Sequence, residues 1–233
     1  MKKTPTSPGF TLPELLVGIA LVAILAALAF YLFQRGRRKA QETECVNNLR
    51  QIYVAASAFA NEHNGAVPAP LATVTGSLSQ KSFADELASY FAASSGSNAK
   101  SVWVCPADNR DFKGGFLPCS YGMNGTVTIT QTDSEGLFSP LKLPQLSKII
   151  FIADSGGNLL PMAMVYYNIS DAIKYKGIAF RHRGAVHDSA KDYASQQEIV
   201  KEAGTANFLF FDGHVEPLTY LDITDLMWVP LPQ

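Results

Sequence analysis

The chain has 233 residues, of which 47% are hydrophobic and 17% are charged, and its formal net charge is -1. This composition suits a chain that buries a sizeable core, and it argues against a disordered chain, a collagen-like repeat and a free-standing nucleic-acid binder. Because about 25% of the residues in soluble domains are charged, the low charged fraction indicates apolar sequence outside a water-soluble core.

One uncharged stretch accounts for this composition. The nineteen residues from Leu15 to Phe33 carry no charge, and a helix of this length rises about 28 Å, the thickness of a bilayer core. A buried helix of a soluble protein usually keeps a polar face, and a cleavable secretory signal is usually shorter and followed by a small-residue cleavage site. We therefore expect a membrane span rather than either alternative.

Basic residues flank the span unevenly. Two lysines precede it, whereas Arg35, Arg37, Arg38 and Lys39 follow it. By the positive-inside rule, this bias alone places the C-terminal region in the cytoplasm. If the head lies elsewhere, another sequence signal must decide the orientation, and the segment directly before the span is the candidate.

The segment Gly9-Phe10-Thr11-Leu12-Pro13-Glu14-Leu15-Leu16 lies directly before and at the start of the span. It resembles the signal of type IV prepilins and of type II secretion pseudopilins. The resemblance implies that a prepilin peptidase cuts between Gly9 and Phe10, that Phe10 becomes an N-methylated first residue, and that Glu14 is the acidic assembly residue. Pro13 replaces the commoner apolar residue, and the first turn of a helix tolerates it because the missing N–H has no partner there.

Glu14 is an acidic residue at the edge of the predicted bilayer core. A charge costs about 2.5 to 3.5 kcal/mol at the centre of a membrane helix and less near its end, so we expect Glu14 to have a partner. The amino group of Phe10 on a neighbouring subunit suits this role and would set the stagger of subunits in a filament. The alternative is a capping role, because acidic side chains are favoured at the positive end of a helix.

Helical spacing of apolar residues continues beyond the basic residues to His63, and Gly65 and Pro68 end it. A helix from Leu12 to His63 is similar to the spine of a pilin, and its short, alanine-rich stripe favours packing on a sheet over a coiled coil. We predict a leader at 1–9, a transmembrane half of the helix at 10–34, a periplasmic half at 35–63 and a globular head at 64–233. The stripe comprises Val46, Leu49, Ile52, Tyr53, Ala56, Phe59 and Ala60.

The head follows the helix with predominantly strand-like sequence. A loop is predicted at 66–79 and a short helix from Ser82 to Ala93, opened by a capping box. Asp212-Gly213 between two strand-like runs predicts a hairpin with a type I′ turn, in which both central residues have positive φ. A long helix followed by antiparallel strands gives an α+β, pilin-like fold class. Further strands are predicted at 101–104, 120–130, 148–153, 162–167 and 177–180, and a helix at 189–203.

Short motifs in the head resemble prepilin-like proteins whose C-terminal module has a histidine, nine residues and then Asp-Gly. The resemblance assigns His182, Asp212 and Gly213 to this module, and because twenty-nine residues separate His182 from Asp212, a helical insertion is expected between them. The motifs are Trp103-Val104-Cys105-Pro106-Ala107-Asp108, Ser120-Tyr121-Gly122-Met123-Asn124, Ala153-Asp154-Ser155, Arg181-His182 and Phe211-Asp212-Gly213-His214-Val215.

The chain has three cysteines. Cys105 and Cys119 bracket a loop, and a disulfide between them would stabilise the fold by about 3 kcal/mol in a compartment outside the cytoplasm. Two buried thiols are the alternative. Cys45 is expected to stay unpaired as a small, partly buried apolar residue, with an intermolecular bridge as a minor alternative.

Catalytic and metal-binding patterns are weak. No histidine spacing matches a zinc motif, and Asp212 and His214 fit a turn and its return strand. We therefore predict no catalytic residue, no enzyme, and no resident metal or cofactor. The resemblance to the major pseudopilin of type II secretion implies one exception, a structural calcium ion, for which Asp154 and Asp212 would offer oxygen ligands.

The predicted function is that of a structural subunit, processed and anchored at the inner membrane by a single span, with its head in the periplasm. Its expected partners are prepilin peptidase, other pilin-like subunits and a membrane assembly platform. Loss of the leader with its two lysines lowers the formal charge from -1 to -3, so nucleic acid is not an expected partner. One alternative is a membrane-tethered binding module that exposes Tyr166, Tyr167 and Tyr175, and another is an enzyme that depends on His182 or Asp212.

Overall fold

The computed structural model describes residues 11–68, 71–72, 81–91, 102–108, 119–125, 137–155, 178–183, 204–224 and 227. The chain divides into two compact units, Met1–Ala40 and Gln41–Gln233. One helix, α1 (Leu12–Glu62), contributes to both units. The long helix predicted from Leu12 to His63 is thus confirmed to within one residue.

The N-terminal unit contains the predicted membrane span. Every residue from Leu15 to Phe33 is exposed, and an 18-residue window of α1 has a mean hydropathy of 2.8 with none of its residues buried. Such a surface is stable in lipid and costly in water, because apolar side chains surround the helix on all sides. This part of α1 is long and apolar enough to cross a membrane.

The part of α1 in the C-terminal unit has one buried face. Leu49, Ile52, Ala56 and Phe59 of the predicted stripe are buried, while Val46 and Tyr53 are half-buried. The buried face also extends further toward the N-terminus than predicted, through Glu42 and Cys45, and within the predicted stripe it includes Asn48.

The end of α1 follows from backbone conformation. Asn64 and Gly65 both have positive φ, at 54° and 82°, and the N–H of Gly65 donates to the carbonyl of Ala60 at 2.7 Å. Residues in the left-handed region end helices in this way, and glycine and asparagine adopt it at little cost. The stop predicted at Gly65 is therefore confirmed.

A four-stranded antiparallel sheet forms the centre of the C-terminal unit. In their order across the sheet, the strands are β4 (Tyr121–Met123), β6 (Ile150–Asp154), β7 (Ala206–Phe210) and β8 (Val215–Leu218). The register pairs Gly122 with Ala153, Ala153 with Phe208, and Phe208 with Glu216. The α+β fold class is confirmed.

Two smaller strand pairs and one short helix accompany the sheet. β1 (Val67–Pro68) pairs with β5 (Leu137–Phe138), and β2 (Leu71–Ala72) pairs with β3 (Lys81–Ser82). The segment predicted as a loop at 66–79 thus contributes two short strands. The helix α2 (Phe83–Leu87) begins with the predicted capping box, in which Asp85 and Ser82 bond each other reciprocally. A 3-10 turn over Ala88–Tyr90 follows it.

The sheet separates two apolar clusters because successive strand residues point to opposite faces. Leu209 packs with the buried face of α1, whereas its neighbours Phe208 and Phe210 belong to the second cluster. The helix-facing cluster also contains Trp103, Tyr121 and Met123. Packing of a sheet against a helical stripe, rather than a coiled coil, is therefore confirmed.

The Asp212-Gly213 hairpin is confirmed, but its turn type is not the predicted one. The N–H of Gly213 donates to the carbonyl of Phe210 at 3.0 Å, and the N–H of Phe210 donates to the carbonyl of His214 at 3.0 Å. Of the two residues, only Gly213 has a positive φ, at 93°. The loop is thus one residue longer than a type I′ turn and places the glycine in the left-handed position that such loops require.

The remaining predicted strands were confirmed only in part. The strand predicted at 148–153 is β6, and β4 lies within the one predicted at 120–130. Residues 102–104 form no strand, and Ile178 makes only a single bridge with Ser155. The strand predicted at 162–167 and the helix predicted at 189–203 lie outside the described residues, as do Tyr166, Tyr167 and Tyr175.

Candidate functional site

Glu14 lies in the first turn of α1. Its Oε2 accepts hydrogen bonds from the N–H of Thr11 at 2.9 Å and from the hydroxyl of Thr11 at 2.7 Å. This is the carboxylate half of a capping box, which satisfies donors that the start of a helix leaves unpaired. The capping alternative is therefore realised within the single chain, while Gly9 and Phe10 lie outside the described residues.

The predicted disulfide between Cys105 and Cys119 is wrong. Cys105 is bonded to Cys45 on α1, at a sequence separation of 60 residues. The prediction that Cys45 stays unpaired is wrong for the same reason. Cys119 is a buried thiol that donates to the carbonyl of Tyr121 at 3.2 Å. The pairing follows from the buried face of α1, which places Cys45 against the segment that carries Cys105.

A buried histidine lies beside this disulfide. His182 Nε2 is 3.7 Å from Cys105 Sγ and 3.2 Å from Asp154 Oδ2. The same carboxylate oxygen accepts the N–H of Asn207 at 2.8 Å. Asp154 is fully buried, and its other oxygen has no hydrogen-bond partner among the described residues. Because a buried carboxylate needs compensation, His182 and the Asn207 N–H hold Asp154 in the core.

A buried ion pair involves Arg181, the residue directly before His182. Arg181 Nη1 contacts Asp108 Oδ2, and Arg181 Nη2 donates to the carbonyl of Ser155. Asp108 Oδ2 also accepts the Ser120 hydroxyl at 2.7 Å, and the same hydroxyl accepts the N–H of Cys105 at 3.0 Å. We call Cys45, Cys105, Asp108, Asp154, Arg181 and His182 the buried polar cluster.

Three further bonds join α1 to residues that are next in sequence to members of this cluster. Glu42 Oε1 pairs with Arg183 Nε at 2.6 Å. The side chain of Gln41 donates to the carbonyl of Pro106 at 3.0 Å, and that of Asn48 donates to the carbonyl of Val104 at 3.3 Å. Together with the disulfide, they fix this part of α1 to the head through polar contacts in addition to the apolar stripe.

The structure gives His182 and Asp212 different partners. Asp212 is exposed, and its Oδ1 lies 2.6 Å from Nδ1 of His214 and accepts the His214 N–H at 3.1 Å. Gly213 lies against α1, and a Cβ at this position would overlap the ring of Tyr53. Asp212 and Gly213 thus build the turn, whereas His182 belongs to the buried polar cluster.

Metal-binding atom types occur in this cluster. Cys45 Sγ, Cys105 Sγ and His182 Nε2 lie within 4.8 Å of one another, but the two sulfurs are bonded to each other. The two carboxylates named for calcium differ in environment, because Asp154 is buried beside His182 and Asp212 is exposed beside His214. The described geometry therefore makes the cluster a structural centre that joins α1 to the sheet.

Tyr121 provides a test of how this centre depends on pH. Burial raises its pKa well above the ordinary value, and the charge of Asp154 raises it further. Its hydroxyl lies 3.5 Å from the carbonyl of Cys45. A phenol whose pKa is higher in the folded state stabilises the fold below its unfolded pKa of about 10, and this stability is lost as the pH rises toward the folded pKa.

We expect Tyr121→Phe to cost about 1 kcal/mol at neutral pH and to lose less stability than the parent chain at alkaline pH. At one pH unit above the unfolded pKa, ionisation of one tyrosine in the unfolded state lowers the parent stability by about 1.4 kcal/mol. Urea unfolding of both proteins between neutral pH and pH of about 11 measures the difference. Parallel stability profiles would contradict this role of Tyr121.

Sequence reasoning missed most of the cluster. Arg181, His182, Asp154 and Asp108 all belong to motifs that the sequence made conspicuous, yet nothing in the sequence shows which pairs meet. For Cys45, however, the helical spacing did indicate a place on the buried face of α1. Cys45 precedes Leu49 by four positions and Ile52 by seven, so it continues the apolar stripe toward the N-terminus.

Comparison with known proteins gives two findings. Residues 7–30 match the family model described as the prokaryotic N-terminal methylation motif. The chain is also 36% identical over 58 residues to the type IV major pilin protein PilA of Myxococcus xanthus, a match that covers 25% of this chain and 26% of that protein. The chain thus spans about a quarter of the curated relative it matches. No solved structure matches it significantly.

Proposed function

We propose that this chain, whose N-terminal segment is that of a prepilin-like protein, is a structural subunit of a type IV pilus or of a type II secretion pseudopilus. Prepilin peptidase removes residues 1–9, Phe10 is N-methylated, and a membrane platform assembles the subunit with other pilin-like chains. The observation that carries the proposal is the match of residues 7–30 to the methylation motif. Most of these residues belong to the apolar part of α1, in which no residue of the most apolar window is buried.

The position of Glu14 supports assembly through the helix. In the single chain its carboxylate caps Thr11 at the exposed start of α1. In the proposed filament this carboxylate pairs with the amino group of Phe10 on a neighbouring subunit. An ammonium and a carboxylate attract each other strongly where water is excluded, so the pair sets the axial stagger of the subunits.

The disulfide supports a head outside the cytoplasm. Disulfides persist in oxidising compartments and are rare where glutathione and thioredoxin keep thiols reduced. The Cys45–Cys105 bond lies in the unit Gln41–Gln233, and it therefore supports an orientation opposite to the one that the basic residues after the span favour. Protease added outside an intact inner membrane should digest this unit, and its full protection would contradict the orientation.

The test of assembly is Glu14→Gln. Glutamine keeps an oxygen that can accept the Thr11 hydrogen bonds, as in other capping boxes, but it loses the charge that pairs with an amino group. We expect leader cleavage to stay intact and the ladder of crosslinked subunits in membranes to fall at least about tenfold, since a lost pair of about 1.4 kcal/mol has that effect. Crosslinking followed by electrophoresis measures the ladder, and mass spectrometry of the N-terminus measures processing.

Glu44→Gln is the matched control, because Glu44 is an exposed acid on the same helix outside the apolar stretch. It should leave both readouts unchanged. A ladder that survives Glu14→Gln would reduce Glu14 to its capping role. A parent protein that is processed but forms no ladder would favour the membrane-tethered binding module, and a leader still attached in native membranes would refute the proposal as a whole.

A further inference from the structure

Four exposed basic residues lie directly after the span. Arg35, Arg37, Arg38 and Lys39 are all exposed on α1, and the last apolar residue of the span, Phe33, lies two positions before Arg35. We call these four residues the basic collar.

The collar is wider than a single helix face. At about 100° per residue, its four positions cover about 200° around the helix axis, whereas a helix face that packs on a protein partner is about 100° wide. A single protein partner contacts one face. Charges spread over more than half of the circumference instead fit a layer that lies across the helix axis.

The axial dimensions identify that layer. The span from Leu15 to Phe33 rises about 28 Å, which fills the hydrocarbon core of a bilayer. The collar then covers about 6 Å along the axis, close to the thickness of one headgroup layer, about 5 to 8 Å. Tyr31 is exposed near the same end of the span, and tyrosine is enriched at membrane interfaces.

The collar also has the chemistry of a phosphate-binding surface. One guanidinium group can donate two parallel hydrogen bonds to the oxygens of a phosphate. Each basic residue near an anionic membrane surface strengthens binding to that membrane about fivefold. We propose that the basic collar binds the headgroup phosphates of anionic phospholipids in the leaflet at the C-terminal end of the span. The proposal rests on the membrane insertion contained in the proposed function. Lipid contacts of this kind fix the depth of the subunit before assembly and offset the unfavourable charge bias across the span.

The test uses the full chain reconstituted in vesicles that contain spin-labelled phosphatidylglycerol or phosphatidylcholine. Electron paramagnetic resonance measures the fraction of each lipid that the protein immobilises. We expect an association constant about fivefold higher for phosphatidylglycerol, the effect of one basic contact per lipid. The constant should fall toward that of phosphatidylcholine in a variant with Arg35→Gln, Arg37→Gln and Arg38→Gln, and also at high salt, because screening weakens exposed charges.

Arg50→Gln is the matched control, since Arg50 is an exposed arginine twelve positions after Arg38 on the same helix, and it should keep the preference. Equal immobilisation of the two lipids by the parent chain would overturn the proposal. So would a preference that survives the triple variant, or one that Arg50→Gln removes equally well. A chain that immobilises neither lipid would contradict membrane insertion itself, so the two failures are distinguishable.

Discussion

Replacement of Cys45 and Cys105 together by alanine is expected to lower the free energy of unfolding of the unit Gln41–Gln233 by about 4 kcal/mol. The bond closes a loop with a sequence separation of 60 residues, and the chain-entropy model assigns a loop of this size a larger effect than the shorter loop predicted from the sequence. Urea unfolding of the full chain in detergent micelles, followed by near-ultraviolet circular dichroism, measures the loss. Trp103 is a suitable reporter because it is buried and packs edge-on against Phe83.

Cys119→Ala is the control for this change. Cys119 lies outside the bond and contributes one weak S–H hydrogen bond, so we expect a loss of about 1 kcal/mol. Peptide mapping without reductant should recover Cys45 linked to Cys105. If the single change Cys45→Ala were neutral while Cys119→Ala was strongly destabilising, the pairing of Cys105 would have to be reassigned to Cys119.

Arg181→Met is expected to lower the free energy of unfolding by about 3 to 5 kcal/mol. Its partner Asp108 has only 1% of its side chain exposed, so the substitution removes the positive charge of Arg181 from beside a buried carboxylate. The hydroxyl of Ser120, which also bonds Asp108, supplies a hydrogen bond but no charge. The loss therefore reflects the desolvated Asp108 charge more than the net contribution of the ion pair.

A double-mutant cycle separates these contributions. Asp108→Asn combined with Arg181→Met should cost clearly less than the sum of the two single changes, because the double variant removes both charges of the pair together. Arg50→Met serves as the surface control and should stay within about 0.5 kcal/mol of the parent chain. Additive losses in the cycle would show that Arg181 does not compensate Asp108.

Features that depend on neighbouring residues were predicted well from the sequence. The apolar stretch from Leu15 to Phe33 predicted a helix long enough to cross a bilayer, and helical spacing identified the stripe that includes Leu49 and Ile52. Gly65 marked the end of α1 because few other residues adopt positive φ easily. The Asp212-Gly213 pair marked the hairpin, although not the length of its loop.

Features that depend on distant residues were not predicted from the sequence. Cys105 has Cys119 closer in the chain, yet it bonds Cys45, because packing of α1 on the sheet determines which thiols meet. Glu42 and Asn48 looked like solvent-facing residues of an amphipathic helix, and they are buried because Arg183 and the carbonyl of Val104 partner them.

The sequence by itself determined the long apolar helix, its acidic first turn, the end of α1 and the α+β class, since local spacing and backbone preference encode each of these. Only the tertiary structure decided the disulfide, the compensation of Asp154 by His182 and the ion pair between Asp108 and Arg181. A buried charge or thiol is satisfied by whatever group the fold brings within a few ångströms, and a linear pattern holds no information on that distance.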